Sequence, residues 1–226
     1  MAGMMEIRRR ILANTKCVPP SYEICDWLEG SGRNARIDTG VTGNDETLRI
    51  FCEFMPIEIS GSYNAVFGNY KTESDHYCWR CITKATTSSD YYYAFYVNMG
   101  HRAPSQCNTM TPFRNDESMI NQKVKIDMSY GSVTVTGSVT STYSNSPTQK
   151  TANTNNIAIG SLSAGSGNSA TNKFRYYAFK MWSHGVLVRN YIPCVRKSDN
   201  KAGFYDTVNH TFNPSIGSVD FTAGND

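Results

Sequence analysis

The sequence predicts an all-β protein, a jelly-roll sandwich of two antiparallel sheets with a short N-terminal arm or helix. In most segments apolar residues recur at every second position, which is the period of a half-buried strand. Polar stretches rich in Gly, Ser, Thr and Asn separate these segments, as turns do. Tyrosine, which favours strands, occurs 14 times. Many short strands joined by polar turns are typical of a sandwich or jelly roll.

The clearest strand lies at residues 47–54. Its apolar side chains, Leu48, Ile50, Cys52 and Phe54, would face the core, and the charged residues between them would face solvent. Pro56 is expected to stop this strand or to mark a bulge in it. Further strands are expected at residues 35–41, 63–70, 77–82, 91–97, 123–128, 132–140, 174–183 and 186–191.

Two connections between strands are also predicted. His184-Gly185 separates the last two strands and predicts a tight hairpin turn. Residues 140–167 are polar apart from a short apolar stretch at 157–159 and Leu162. This pattern predicts a long loop around one short strand.

Length and charge limit the organisation and the partners of the chain. All-β sandwiches of 226 residues often remain undivided, so we expect an arm or tether at residues 1–20 and one sandwich domain at 21–226. The 22 basic and 19 acidic residues nearly balance, which gives no bulk attraction to nucleic acid or to an anionic membrane. No segment approaches the ~20 apolar residues of a membrane span. We therefore expect neither nucleic acid nor membrane as a partner.

The N-terminal arm combines charge with apolar residues. Arg8, Arg9 and Arg10 are followed by Ile11 and Leu12, and the pattern fits a short helix. The apolar stretch is too short for a signal peptide, so we expect the chain to be made in a cytoplasm and not exported by the general route. A frayed leader and an arm that becomes ordered on a neighbouring subunit both remain open. In the second case these five residues are the docking residues.

The cysteines give no metal site. Cys78 and Cys81 have C-x-x-C spacing and His76 lies near them, but no second pair follows at the spacing of a zinc finger. The seven cysteines are an odd number and have no repeating spacing, so free thiols are expected.

The two ends of the expected sandwich carry motifs. Residues 27–41 contain W-L-E-G-S-G and A-R-I-D-T-G-V, and residues 185–194 are G-V-L-V-R-N-Y-I-P-C. Residues 202–209 are A-G-F-Y-D-T-V-N, and 221–224 are F-T-A-G. Together they resemble the laminin-G-like, concanavalin A-like jelly-roll proteins of gut bacteria and their phages. The resemblance covers about residues 22–224, is weakest in the middle, and implies a concanavalin A-like sandwich.

The resemblance also implies two properties of the loops. The closing turn would be architectural, and Asp206 and Asn209 suit it because short polar side chains bond nearby backbone amides. Proteins of this kind sometimes hold calcium, for which Asp75, Asp90 and Asp116 are the candidates. No run of hard-cation ligands is visible, so we expect no cofactor.

A glycoside hydrolase of this fold would need paired carboxylates. Retaining hydrolysis places an acid and a nucleophile about 5 Å apart. The nearest candidates are Glu53 and Glu58, but Met55 stands where concanavalin A-like glucanases carry an aspartate. The odd offset would also turn the two carboxylates to opposite faces unless a bulge intervenes. We therefore expect no enzymatic activity and no catalytic residues, and a hydrolase is the least favoured alternative.

An aromatic strand at residues 91–96 is the strongest candidate for a binding surface. Alternation places Tyr92 and Tyr96 on one face, where they could stack on sugar rings or pack against another protein. Cross-strand aromatic pairing is the alternative explanation.

Two functions are compatible with these observations. The first is a non-enzymatic structural or binding module of a phage virion, as a capsid decoration, head fibre or tail protein. Its partners would be other virion subunits or copies of itself, and glycans in addition. The second is a bacterial carbohydrate-binding adhesion module at the cell surface.

Overall fold

The computed structural model describes residues 17–31, 34–59, 64–69, 79–84, 94–99, 108–110, 112, 118–144, 153–162 and 173–226. The predicted docking residues Arg8, Arg9, Arg10, Ile11 and Leu12 lie outside these ranges. No helix in the described ranges is both long enough and apolar enough to cross a membrane.

The described residues form seventeen strands. In chain order they are Tyr22–Ile24 (β1), Trp27–Ser31 (β2), Ile37–Asp38 (β3), Arg49–Glu58 (β4), Asn64–Asn69 (β5), Trp79–Lys84 (β6), Ala94–Met99 (β7), Asn108–Met110 (β8), Val124–Ser129 (β9), Ser132–Thr136 (β10), Thr140–Ser144 (β11), Ala158–Ile159 (β12), Lys173–Ser183 (β13), Val186–Arg196 (β14), Lys201–Asp206 (β15), Thr211–Pro214 (β16) and Thr222–Gly224 (β17).

The strands form two antiparallel sheets. The larger sheet has eleven strands and contains the path β11-β10-β9-β4-β13-β14-β15-β16, with β1, β2 and β17 attached to it. The smaller sheet has six strands in the order β3-β12-β5-β6-β7-β8. The predicted jelly-roll sandwich of two antiparallel sheets is confirmed.

Apolar side chains from both sheets fill the space between them. Phe54 of β4 meets Phe95 of β7 edge to face, with ring centroids 5.6 Å apart. Phe67 of β5 meets Phe179 of β13 in the same way at 5.5 Å. All four rings are fully buried, so the two sheets share one core.

The strand pattern of the central region was largely predictable. The four apolar side chains assigned to the core face of the predicted strand at 47–54 are all buried, including Leu48, which lies one residue before β4. The strand continues past Pro56, and its register against β13 shifts by one residue next to that proline. The prediction of a bulge at Pro56 is therefore confirmed, and the alternative of a strand end is wrong.

Two predicted strands differ from the observed ones in extent or number. Only Ile37–Asp38 of the segment 35–41 forms a strand. The segment 132–140 is divided between β10 and β11, which begins at Thr140 and occupies the start of the predicted long loop. The short strand within that loop is confirmed at Ala158–Ile159.

The predicted hairpin at His184-Gly185 is also confirmed. His184 and Gly185 both have positive φ, 50° and 74°, as a tight two-residue turn requires.

A buried amide connects the smaller sheet to its neighbouring loops. The Asn69 side-chain oxygen accepts the Trp79 backbone N–H at 2.7 Å, and its Nδ2 donates to the carbonyl of Thr42 at 2.7 Å. The Trp79 indole N–H in turn donates to the carbonyl of Gly43 at 2.8 Å. Asn69 and Trp79 are fully buried, so no water competes for these bonds.

Replacing Asn69 with leucine is expected to lower the free energy of unfolding by about 2–4 kcal/mol, because the buried Trp79 N–H and the partly buried Thr42 carbonyl lose their partners. Chemical denaturation measures the loss. Asn225→Leu is the matched control, since the Asn225 oxygen also accepts a backbone N–H, from Asp26, but at an exposed position where water can replace it. Equal stability of the two variants would contradict a role for the buried network.

Candidate functional site

The outer face of the larger sheet, which points away from the smaller sheet, is polar and aromatic. On β9, Ile126 and Met128 are buried in the core, so Lys125 and Asp127 point outward. On β4 the same alternation directs Phe51 and Glu53 outward. This face crosses four adjacent strands, β9, β4, β13 and β14.

Strand register arranges the outward residues in two rows across the sheet. The first row contains Asp127, Phe51, Lys180 and Asn190, which are paired in turn on β9, β4, β13 and β14. The second row contains Lys125, Glu53 and Ala178, which are paired on β9, β4 and β13.

A cavity of about 210 Å³ lies where the two rows cross β4 and β13, and β14 also lines it. Phe51 and Glu53 line it from β4, Tyr177 and Lys180 from β13, and Asn190 from β14. The register of β13 shifts between Tyr176 and Ala178, so β13 has one extra residue here. The small side chain of Ala178 occupies the outward position next to Glu53, which leaves room for the cavity.

The cavity brings together groups that can exchange protons. Glu53 is a carboxylate only 3% exposed, and it faces the cavity from the outer side of the sheet. Burial and the nearby Asp226 carboxylate raise the pKa of the Tyr177 phenol well above its usual range, so this phenol stays protonated at neutral pH. Within the described part of the chain, the Lys180 ammonium and the neighbouring Lys125 form no ion pair.

Two cation–aromatic pairs lie on opposite sides of the rows. The Arg49 guanidinium lies 4.8 Å from the ring centre of Trp182, and the Asp127 carboxylate holds it with two hydrogen bonds. The Lys123 ammonium lies 4.0 Å from the ring centre of Tyr177 and pairs with Asp226. Each cation is thus held from two sides, which fixes its position.

At the tip of the β13–β14 hairpin a serine and a histidine lie beside an aspartate. They are not arranged for nucleophilic catalysis. The Ser183 hydroxyl donates to Asp45 at 2.5 Å, and the exposed His184 imidazole lies 3.6 Å from the same carboxylate. Burial raises the pKa of Asp45, but the hydrogen bonds from Ser183 and Thr47 outweigh it and the pKa lies below the usual range. The serine proton therefore points to a carboxylate that is already ionised, and the group fastens the hairpin tip to residues 45–47.

The predicted site residues do not coincide with this cavity. Tyr92 lies outside the described residues, and Tyr96 lies in β7 of the smaller sheet, where only its backbone is described. The aromatic-face prediction therefore stays a prediction.

The carboxylate pair considered for a hydrolase does not form a catalytic pair. Glu58 follows Glu53 at the fifth position along an extended strand, about 16 Å of chain. Hydrolysis by paired carboxylates works at about 5–10 Å. Glu58 instead pairs with Lys173 at 3.3 Å.

The metal predictions are only partly within the described residues. Cys81 is fully buried in β6, as an ordinary strand cysteine of the core would be. Among the residues that the structure describes, no three or more His, Cys, Asp or Glu side chains are grouped to hold a metal ion. Cys78, His76 and the calcium candidates Asp75, Asp90 and Asp116 lie outside those residues.

Sequence reasoning did not identify Tyr177, Lys180 and Asn190 as site residues. All three lie in strands that alternation predicted, but alternation alone treats outward residues as a solvated surface. The signal that was available is the adjacent pair Tyr176-Tyr177, since two large aromatics in succession place one ring on the outer face.

Comparison with known proteins gives similarity at the level of the fold. No protein-family model and no curated protein matches the chain. Among solved structures, an alginate lyase from Alteromonas sp. 272 is similar, with a TM-score of 0.34, 11% identity, and coverage of 68% of this chain and 75% of the lyase. The family 18 polysaccharide lyase aly-SJ02 has a TM-score of 0.33, 11% identity and the same coverage.

These similarities correct one prediction. The expectation of a non-enzymatic module, with no activity, is wrong. The finding that overturns it is that both of these solved structures are lyases, which are enzymes. The virion and phage parts of that prediction find no support in these comparisons.

Proposed function

We propose that the chain binds an acidic polysaccharide on the outer face of the larger sheet and cleaves it at the cavity between β4, β13 and β14. One observation carries the proposal: this cavity combines the buried carboxylate of Glu53, the ammonium of Lys180, the phenol of Tyr177 and the amide of Asn190. The proposal rests on these residues and not on the distant similarities to the lyases.

The charges of the cavity favour an anionic sugar. Lys125 and Lys180 flank Glu53 and Phe51, and neither lysine is neutralised by an ion pair among the described residues. A sugar carboxylate beside Lys180 and Asn190 would receive a cation and a polar partner. Phe51 offers an apolar surface for the ring of the sugar.

The same groups favour cleavage by elimination over hydrolysis. Among the described residues, Glu53 is the one carboxylate that lines the cavity, whereas hydrolysis by the common route needs two. In the proposed reaction Glu53 takes the proton next to the sugar carboxylate, whose negative charge Lys180 and Asn190 stabilise. The bond to the leaving oxygen breaks and a carbon–carbon double bond forms. The Tyr177 phenol, which donates to Asp226 at 3.3 Å in the free protein, turns to supply its proton to that oxygen.

Glu53→Gln is expected to lower kcat by about 10²–10⁴-fold on an acidic polysaccharide, because an amide of the same shape cannot take up the proton. The assay follows the ultraviolet absorption of the unsaturated product and the new reducing ends, with a uronate-rich and a neutral polysaccharide in parallel. Lys180→Met is expected to raise KM and lower kcat together, because it removes the cation that binds the acidic group.

Lys173→Met is the matched control for Lys180→Met. Lys173 is an exposed lysine of the same strand, and it pairs with Glu58 away from the cavity. Reducing ends without ultraviolet absorption would indicate hydrolysis and contradict elimination. Absence of both cleavage and binding with every polysaccharide, in a folded wild-type chain, would contradict the proposed function.

The other expectations remain open beside this proposal. The laminin-G-like relationship, a virion or cell-surface location, a homo-oligomer, bound calcium and docking through the N-terminal arm stay predictions. Glycans as partners agree with the proposed function.

A further inference from the structure

The outer face of the larger sheet continues beyond the cavity onto β10 and β11, where hydroxyl side chains occupy one whole face. Thr134 of β10 and Thr142 of β11 lie opposite each other with their hydroxyl oxygens 3.3 Å apart. Thr136 pairs with Thr140 at 3.4 Å, and Ser132 pairs with Ser144 at 3.4 Å. The valines between them on β10 are buried, so all three pairs point outward.

Strand register connects these hydroxyl pairs to the cavity. Thr134 is paired with Asp127, which begins the first row, and that row continues to Phe51 and Lys180. Thr136 is paired with Lys125, which begins the second row and lies opposite Glu53. Both rows therefore run from the hydroxyl pairs into the cavity across neighbouring strands.

The two cation–aromatic pairs fix the direction in which a chain can lie. Arg49 on Trp182 stands on one side of the two rows, and Lys123 on Tyr177 stands on the other, displaced along the strand direction. Their carboxylate partners, Asp127 and Asp226, hold both cations in place. A bound chain that followed the strands would have to pass over these side chains, whereas a chain that lies across the strands would run between them.

The path has the length of several sugar units. Four steps between neighbouring strands separate β11 from β13, and at about 4.8 Å per step the path from Thr142 to Lys180 is about 19 Å. Its chemistry changes along the way. Charged groups lie at the cavity end, and hydroxyl groups, which both donate and accept, lie at the far end.

We propose that the polysaccharide runs across the strands, with its acidic group at Lys180 and its more distant units hydrogen-bonded to the hydroxyl pairs of β10 and β11. This inference rests on the proposed function and deepens it, because it assigns the distant subsites. The charge of the ligand is recognised at the cavity, and the distant units are recognised through their hydroxyls.

The test uses oligosaccharides of one acidic sugar at increasing length, with the full chain and the double variant Thr134→Val, Thr142→Val. Valine keeps the shape of threonine and suits a strand, so folding is preserved. For oligosaccharides long enough to reach β10, the variant is expected to raise Kd and KM by about 5–30-fold, the effect of one or two lost hydrogen bonds. For the shortest oligosaccharides, KM and kcat should equal those of the wild type.

The control is Thr222→Val, which removes an exposed hydroxyl from β17, away from the path. Wild-type activity without length dependence, or a variant with unchanged affinity for long oligosaccharides, would overturn the path and leave the proposed cleavage intact. Length-dependent binding that the double variant weakens, without any cleavage, would support the path and overturn the cleavage. A folded wild type that binds none of the oligosaccharides would overturn both.

Discussion

Replacing Asp206 with alanine is expected to lower the free energy of unfolding by about 3–5 kcal/mol, because its buried carboxylate is the shared acceptor of several donors and faces a guanidinium. The Asp206 carboxylate accepts the backbone N–H groups of Asn190 and Val208 at 3.1 and 3.0 Å, and the Asn209 amide at 2.6 Å. Arg189 lies 3.7 Å away, and the aspartate side chain is only 2% exposed. Chemical denaturation followed by circular dichroism measures the loss.

Asp199→Ala is the matched control for this prediction. Asp199 lies in the turn between β14 and β15 and pairs with Arg196, as Asp206 at the end of β15 faces Arg189. The Asp199 pair is exposed to solvent, where an ion pair contributes little to stability. A similar loss in both variants would mean that the β14–β15 hairpin responds to any lost aspartate, and would contradict a specific role for the buried carboxylate.

The closing turn shows how far local sequence reasoning can reach. Asp206 and Asn209 were predicted to bond nearby backbone amides, and the bond from Val208 N–H to Asp206 confirms the aspartate part of that prediction. The bond from Asn190 could not be predicted, because sixteen residues and a strand pairing separate the two residues. Short-range turn chemistry is contained in adjacent residues, whereas its contacts to other strands depend on the register.

The candidate site could not be predicted from the sequence, because it too depends on how the strands pair. Alternation correctly directs Glu53 to the outer face of β4, but it predicts a solvated residue, and the carboxylate is 3% exposed. Glu53 lines the cavity together with Tyr177 of β13, which reaches the same face through an extra residue in that strand. A one-residue bulge leaves no clear trace in a period-two pattern, so the cavity appears only when the strands are paired.

The core was the most predictable feature of the fold. A substitution in the core gives the second large expected loss of stability. Phe54→Ala is expected to lower the free energy of unfolding by about 3–5 kcal/mol, because it removes a fully buried ring and leaves a cavity. Alternation along β4 identified Phe54 as a core residue. Its partners Phe95 and Phe174, at 5.6 and 5.9 Å between ring centres, belong to different sheets. The variant therefore weakens the contact between the sheets as well as the larger sheet itself.

Phe54→Leu separates the loss of buried apolar volume from the loss of the edge-to-face ring contacts. Leucine restores most of the apolar volume but not the edge-to-face contacts, so it should recover most of the lost stability and leave a deficit of about 0.5–1.5 kcal/mol. Denaturation midpoints of both variants and the wild type give the comparison. If leucine were as destabilising as alanine, the ring contacts between the sheets would outweigh the buried volume. Because Phe54 is the residue after Glu53 and points the opposite way, folded Phe54→Leu should also retain polysaccharide binding, which links core packing to stability and the outer face to function.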